Sequence, residues 1–342
     1  MKKILPLIAS SLVALSASAL TISEKTTFTG TEVLNEKLTI NSVLYTIGDG
    51  TAKSSLTVSQ SSSPIANNGR ILVSAGSELI VQTTSKQSWS TVSPSGKMDI
   101  YGTVIFDHIG GGDPFVCTVS TGKTFNLFSG GTLKVQGVGS GGIDVNGGTM
   151  NLKTGSTVDI SSGLFFLRNS SGSTTLNVQE GVTFKNGFKV TLGTGSISTL
   201  NLSEANNITI SRFALKNDCK FTLVLPKTSL VFKEFTIENA NSFTGIEEII
   251  LKEFQNDIIK INNAANLTII DDEYLSVVGK KIKLTAYDTN DNLITLSEGD
   301  HWEFSNGYLN LVMTSVVVPE PAEWAVIFGG IALGLAIYRR RK

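Results

Sequence analysis

The stretch ILVSAGSELIV, residues 71–81, carries the pattern that decides the fold. Two short runs of alternating apolar residues flank a turn that contains Gly76. Alternation with a period of two places the apolar side chains on one face of a short strand, and glycine forms the turn at low steric cost. Looser copies follow, with turn glycines at Gly122, Gly155 and Gly181. The repeat therefore predicts short strands joined by tight turns.

The spacing of these copies, with weaker copies between them, corresponds to roughly 20–25 residues per unit, which is typical of solenoids. One unit cannot bury its apolar face alone, whereas stacked units cover one another. The sequence therefore predicts an all-β fold. We expect a parallel β-solenoid, a right-handed β-helix, over residues 20–215, then further strands and a C-terminal cap over residues 216–315. An antiparallel β-sandwich is the alternative, because short strands with frequent turns suit it too.

The composition changes near residue 215. Residues 20–215 hold 26 glycines and 12 acidic residues, whereas residues 216–318 hold 4 glycines and 15 acidic residues. Without the two end segments described below, the chain has 22 basic and 27 acidic residues, so this part is mildly acidic. No basic patch stands out, which argues against nucleic acid as a partner.

Residues 1–19 have the order of a secretory signal peptide. Lys2 and Lys3 precede an apolar run, and Ala17 and Ala19 then occupy the small-residue positions of an A-x-A-like cleavage site. We expect signal peptidase to recognise Ala17 and Ala19 and to cut after Ala19. The alternative is a buried N-terminal helix, although the apolar run shows no polar face.

Residues 316–342 predict a membrane-associated tail. The motif at 319–321 is followed by an uncharged stretch at 324–338, and a basic cluster at 339–342 closes the sequence. The stretch is shorter than the roughly 20 residues of a comfortable transmembrane helix, so we expect one short span. Basic residues remain on the cytoplasmic side, which places the rest of the chain outside. The prolines of the motif keep the preceding chain extended.

This tail resembles the PEP-CTERM sorting signal. The resemblance implies recognition by an exosortase, a membrane-embedded cysteine protease that cuts near the motif. Ala322 and Glu323 depart from the family pattern, in which Ser or Thr is common, and a plain membrane anchor is the alternative. The residues that carry the resemblance are Pro319, Glu320, Pro321 and Trp324, with the basic tail Arg339, Arg340, Arg341 and Lys342.

A second resemblance concerns the exported part. The Gly-spaced short strands and the ending formed by Trp302 and Asn306-Gly307-Tyr308-Leu309 are similar to passenger regions of autotransporter-type proteins. The resemblance implies a β-solenoid and names no ligand.

Few residues of the middle region suit catalysis. Polysaccharide lyases and hydrolases with a β-helical fold need carboxylates stacked on adjacent coils. Asp144 and Asp159 could fall on neighbouring coils, but such a pair arises easily by chance. His108 and His301 have no nucleophile or metal partner nearby in the sequence. The sequence predicts no catalytic residue, no metal site and no cofactor.

The two cysteines, Cys117 and Cys219, leave two possibilities open. An exported protein could oxidise them to a disulfide. Lone cysteines are also common as small buried apolar residues.

Together these observations predict an exported protein with a structural or adhesive role. The precursor is expected at the inner membrane, and the mature protein at the outer surface, in the cell envelope or in the extracellular matrix. The expected partners are signal peptidase, an exosortase-type membrane protease and the membrane. Extracellular polysaccharide is a further expected partner, because Ser, Thr and Asn side chains line the flanks of the solenoid. A polysaccharide lyase or hydrolase on the same fold is the alternative.

Overall fold

The computed structural model describes residues 19–60, 64–83, 90–92, 96–108, 115–137, 142–168, 172–193, 195, 197–216, 219–237, 248–263, 267–277 and 279–314. Every regular element in these ranges is a β-strand. Most strands pair in parallel, and the chain forms a stacked β-solenoid. The predicted all-β fold and parallel β-solenoid are therefore confirmed. The described part of the chain holds no helix with the length and apolar character that a membrane crossing needs.

Among the described residues, the first thirty strands follow one another in groups of three, with one strand on each of three faces. The first face consists of β1 (Leu20–Ile22), β4 (Leu38–Ile40), β7 (Ile65–Asn67), β10 (Ser90–Val92), β13 (Phe115–Ser120), β16 (Gly142–Asn146), β19 (Leu164–Arg168), β22 (Lys189–Leu192), β25 (Arg212–Leu215) and β28 (Phe235–Ile237). The second face consists of β2 (Thr26–Phe28), β5 (Leu44–Ile47), β8 (Arg70–Val73), β11 (Lys97–Ile100), β14 (Thr124–Leu127), β17 (Thr149–Leu152), β20 (Thr174–Val178), β23 (Ile197–Asn201), β26 (Lys220–Val224) and β29 (Glu248–Lys252). The third face consists of β3 (Thr31–Leu34), β6 (Ser55–Gln60), β9 (Glu78–Thr83), β12 (Thr103–His108), β15 (Thr132–Gly137), β18 (Thr157–Ile160), β21 (Thr183–Phe184), β24 (Asn207–Ile210), β27 (Ser229–Phe232) and β30 (Ile259–Ile261). Among the described residues, hydrogen-bonded pairing is interrupted between β7 and β10 on the first face and between β21 and β24 on the third.

The register of the second face gives the length of a coil. Lys97 pairs with Thr124, Thr124 with Thr149, and Thr149 with Thr175, which are separations of 27, 25 and 26 residues. These coils are slightly longer than the sequence repeat predicts, because each contains three strands and three turns.

The alternating apolar residues of the repeat fill the interior of the coils. Leu152, Val158 and Ile160 are all buried, as the alternation predicts. Each buried aliphatic side chain of this size stabilises the fold by about 1.5–3 kcal/mol. The four repeat glycines share one turn conformation, with φ between 72° and 75°. This left-handed region is open to glycine without steric cost, which explains why glycine recurs at this turn.

The last strands change direction and close the stack. The strand Lys280–Ala286 extends the second face in parallel beside β29, and the two strands that precede it in sequence continue the sheet in antiparallel order. The final two form a hairpin whose Asn306-Gly307 turn has positive φ at both residues, as the mirror-image hairpin turn requires. Parallel pairing thus continues past the composition change near residue 215. These strands are β31 (Leu267–Ile270), β32 (Tyr274–Val277), β33 (Lys280–Ala286), β34 (His301–Ser305) and β35 (Tyr308–Val312).

Candidate functional site

Most of the sequence-predicted sorting residues lie outside the described part of the chain. Ala19 is described and exposed, and the first strand begins at the next residue, Leu20. The other predicted sorting residues stay predictions. They are Ala17, Pro319, Glu320, Pro321, Trp324, Arg339, Arg340, Arg341 and Lys342.

The structure does not bring Asp144 and Asp159 together on neighbouring coils. They belong to β16 and β18, which are two faces of the same coil. Asp144 is fully buried and paired with Arg168 at 2.5 Å, whereas Asp159 is paired with Lys185 at 3.4 Å. The two carboxylates are therefore held by different cations and form no acid–base pair.

Cys117 and Cys219 are both buried, and neither is in a disulfide. Cys117 is separated from Phe213, on the coil that carries Cys219, by four successive parallel pairings. At about 4.8 Å per pairing this is about 19 Å, far beyond the roughly 7 Å limit for a disulfide. The disulfide possibility is therefore wrong, and both cysteines are small, fully buried residues.

A column of threonines runs along the outside of the second face. Strand alternation buries Phe125, Met150 and their counterparts and leaves the residues between them on the outer surface. In-register pairing then places the threonines side by side on successive coils, about 4.8 Å apart. They are half-buried. They are Thr124, Thr149, Thr175 and Thr199, and Thr222 continues the column.

A column of asparagines lies beside the threonines. Asn126 pairs with Asn151, Asn151 with Asn177, and Asn177 with Asn201. We call the four threonines from Thr124 to Thr199 and these four asparagines the Thr–Asn strip. The sequence signal for the strip is a Thr-x-Asn tripeptide at 124–126, 149–151, 175–177 and 199–201. Sequence reasoning missed it, because the motif has meaning only once the register is known.

The asparagine amides are hydrogen-bonded to one another. Asn151 Nδ2 donates to Asn126 Oδ1 over 2.6 Å, and Asn177 Nδ2 donates to Asn151 Oδ1 over 2.7 Å. At the start of the column, Asn126 Nδ2 donates to Asp99 Oδ1 over 2.6 Å. Asp99 is fully buried and forms a 2.5 Å ion pair with Arg70. The column is therefore anchored to a carboxylate held in place by a guanidinium group.

A third column follows the corner at the end of the second-face strands. The rings of Tyr101 and Phe128 stack in parallel, with centroids 4.3 Å apart and planes at 2°. Tyr101 is 38% exposed. On the next two coils the column continues with Lys153 and Gln179. The corner thus presents an aromatic pair followed by polar side chains.

A polar depression of about 200 Å³ lies where the amide and corner columns meet. Gln179 is fixed within it, since its amide donates to the carboxylate of Glu204 and accepts from the Thr154 backbone N–H at 3.1 Å. The depression is smaller than the roughly 300 Å³ of the smallest drug-sized sites, so it is too small to enclose a whole ligand of that size. It is lined by Asn151, Lys153, Asn177, Val178, Gln179, Asn201 and Glu204.

The chemistry that this surface offers is hydrogen bonding. Hydroxyls and amides both donate and accept hydrogen bonds. Among the described residues, no group of three or more His, Cys, Asp or Glu side chains could hold a metal ion. No protein-family model, curated protein or solved structure matches this chain.

Proposed function

We propose that the protein is an exported surface or extracellular-matrix protein whose Thr–Asn strip binds polysaccharide. The observation that carries the proposal is the repetition of Thr-x-Asn on four consecutive coils in register. A polysaccharide is a polymer of repeating sugar units, each of which carries hydroxyl groups. A repeating row of donors and acceptors complements such a polymer over several sugar units.

The rigidity of the strip supports this proposal. Each strip residue belongs to a strand that is paired in parallel on both sides. The spacing of the side chains is therefore set before a ligand arrives, which lowers the entropy cost of binding. The Tyr101–Phe128 pair adds a flat apolar surface with a polar hydroxyl at one end. Sugars carry apolar C–H faces as well as hydroxyls, so both kinds of contact are available.

The charge of the strip favours a neutral polymer over nucleic acid. Its eight side chains are uncharged, and Asp99 beside them is neutralised by Arg70 and by Lys97, whose Nζ lies at 3.6 Å. Nucleic-acid surfaces are instead strongly positive.

The export route completes the proposal. We infer that signal peptidase cuts after Ala19 and that an exosortase-type membrane protease acts near Pro319-Glu320-Pro321. The strand boundaries support both sites, because β1 begins at Leu20 and β35 ends at Val312. Both cuts would leave every described strand intact. We propose that the solenoid is right-handed, as are about 98% of parallel crossover connections.

A binding panel tests the polysaccharide proposal. The purified full-length protein is assayed against dextran, galactomannan, xyloglucan and alginate by affinity electrophoresis. We expect retardation by at least one neutral polymer. Migration unchanged by every polymer would contradict the proposal, and release of oligosaccharides from the bound polymer would favour the lyase or hydrolase alternative.

Intact-mass measurement tests the export route. We expect the protein recovered from the cell surface or medium to begin at Leu20 and to lack residues 339–342. A Glu320→Ala variant should retain the tail and accumulate in the membrane. A wild-type product that retains the basic tail would support the plain anchor instead.

A further inference from the structure

The asparagine ladder is interrupted inside the polar depression. Asn177 and Asn201 are neighbours in register. The Asn201 Oδ1 atom, however, accepts hydrogen bonds from the Ser203 backbone N–H at 3.1 Å and from Ser203 Oγ at 2.8 Å. Among the described residues, no side-chain hydrogen bond joins Asn177 to Asn201. Both asparagines line the depression, so the interruption opens directly into it.

The polarity of the ladder is set from its other end. An ionised Asp99 carboxylate can only accept hydrogen bonds, so the Asn126 amide must present its NH₂ group to it. The Asn126 oxygen then faces Asn151, and each later amide repeats this direction. The last amide, Asn177, therefore directs its oxygen toward the interruption. A buried carboxylate at the far end of the ladder thus fixes an acceptor at the depression.

The opposite side of the interruption presents a donor. Because the Ser203 backbone N–H is a donor only, the group that faces it must be the Asn201 oxygen. The Asn201 NH₂ group has no acceptor among the described residues. The interruption thus places a fixed acceptor on one coil and a fixed donor on the next.

We infer that this interruption is a subsite for one hydroxyl group of a neutral sugar unit. The inference rests on the proposed polysaccharide binding and assigns it a position. The hydroxyl donates to Asn177 Oδ1 and accepts from Asn201 Nδ2, so it restores the ladder. A hydroxyl carries one donor and acceptor lone pairs, which is the combination required.

The surroundings of the subsite favour a neutral sugar with adjacent hydroxyls. Lys153 and Glu204 line the same depression, and their opposite charges cancel. An ammonium group donates and a carboxylate accepts hydrogen bonds, so they suit hydroxyls beside the first one. The Thr–Asn strip crosses successive coils, so a polymer that follows the strip through this subsite lies along the solenoid axis.

The experiment measures the affinity of full-length variants for the neutral polymer that binds the wild-type protein best in the panel above. Asn201→Asp replaces the donor by an acceptor and keeps an oxygen for Ser203. Two acceptors cannot share the single donor of a hydroxyl, so we expect affinity to fall at least tenfold. Asn201→Ala removes the donor, and we expect its affinity for the polymer to fall by a similar factor.

Asn207→Asp is the matched control, because exposed Asn207 lies in β24 on the third face and gains the same charge. It should bind as the wild type does. Wild-type affinity in a folded Asn201→Asp protein would overturn the subsite while leaving the polysaccharide proposal intact. Equal losses in the Asn201→Asp and Asn207→Asp variants would show that an added carboxylate lowers affinity wherever it is placed, and would overturn the subsite as well. A wild-type protein that binds no polymer would defeat both proposals.

Discussion

The first and second faces of the solenoid use the same coils in opposite ways. On the second face the outward positions repeat Thr and Asn and are largely half-buried. On the first face one outward column reads Asp144, Phe166, Thr191 and Ala214, and all four residues are buried. Register fixes the spacing of side chains on both faces. The outward column of the first face is buried, whereas that of the second face is largely half-buried. Of these two faces, only the second therefore presents its regularly spaced side chains to a ligand.

The largest predicted effect comes from a substitution that disrupts the stacking of coils on the first face. A Cβ atom at Gly142 would lie 2.0 Å from the Leu164 backbone oxygen on the next coil. That oxygen belongs to a strand and cannot move alone, so Gly142→Ala should lower the free energy of unfolding by about 3 kcal/mol. Urea unfolding measures this.

The control for that variant is Gly76→Ala. Gly76 has a positive φ, unlike Gly142, and no atom lies within 4 Å of the position that an added Cβ would take. Gly76→Ala should lower the free energy of unfolding by only about 1 kcal/mol. A cost of about 1 kcal/mol or less for Gly142→Ala would mean that the close approach of the Leu164 backbone oxygen to Gly142 contributes little.

The buried ion pair of the first face gives the next effect. Asp144 is fully buried, and Arg168 Nε donates to its two oxygens at 2.9 and 3.0 Å. Asp144→Ala leaves the guanidinium without this partner and should cost about 2 kcal/mol, since the Arg168 side chain is 39% exposed and partly solvated.

The matched control for the ion pair lies on the third face. Asp159 and Lys185 are exposed by 23% and 55%, and Asp159→Ala should cost less than about 1 kcal/mol. Thermal unfolding of the two variants compares them. A larger cost for Asp159→Ala would contradict the assignment of the first face as the covered one.

A smaller, pH-dependent effect is expected further along the second face. Burial raises the pKa of Glu248, but hydrogen bonds from Thr285 and Lys220 and the charges of Lys220 and Lys283 outweigh burial. The pKa is therefore held below its usual value of 4.5. A lowered folded-state pKa adds stability that is present above the unfolded-state pKa and is lost as pH falls through the folded-state pKa.

Glu248→Gln should thus reduce the free energy of unfolding at pH 7, and the difference should shrink as pH falls below 4.5. Urea unfolding of both proteins at pH 7 and at about pH 3 measures it. A difference that grows in acid would reverse the assigned direction of the pKa.

The sequence predicted the interior better than the surface. Alternation around Leu152 and Val158 predicts which side chains are buried, because a strand has only two sides. It does not predict which outward residues become neighbours, because the separation between coils varies with the corner turns. Asp144 and Asp159 illustrate this limit, since residues so close in sequence share one coil of about 26 residues. The break after Asn177 depends on the two hydrogen bonds that Ser203 donates to Asn201 Oδ1, which no sequence pattern predicts.

The most direct test of the account compares two threonine columns. Val replaces Thr149, Thr175 and Thr199 on the second face, which removes three hydroxyls and keeps the branched shape. The same change at Thr103, Thr132 and Thr157 alters the outward threonine column of the third face, which has no asparagine column beside it. Binding of the best neutral polymer is then measured by affinity electrophoresis. We predict loss of binding in the second-face variant alone, and equal binding by both variants would contradict the account.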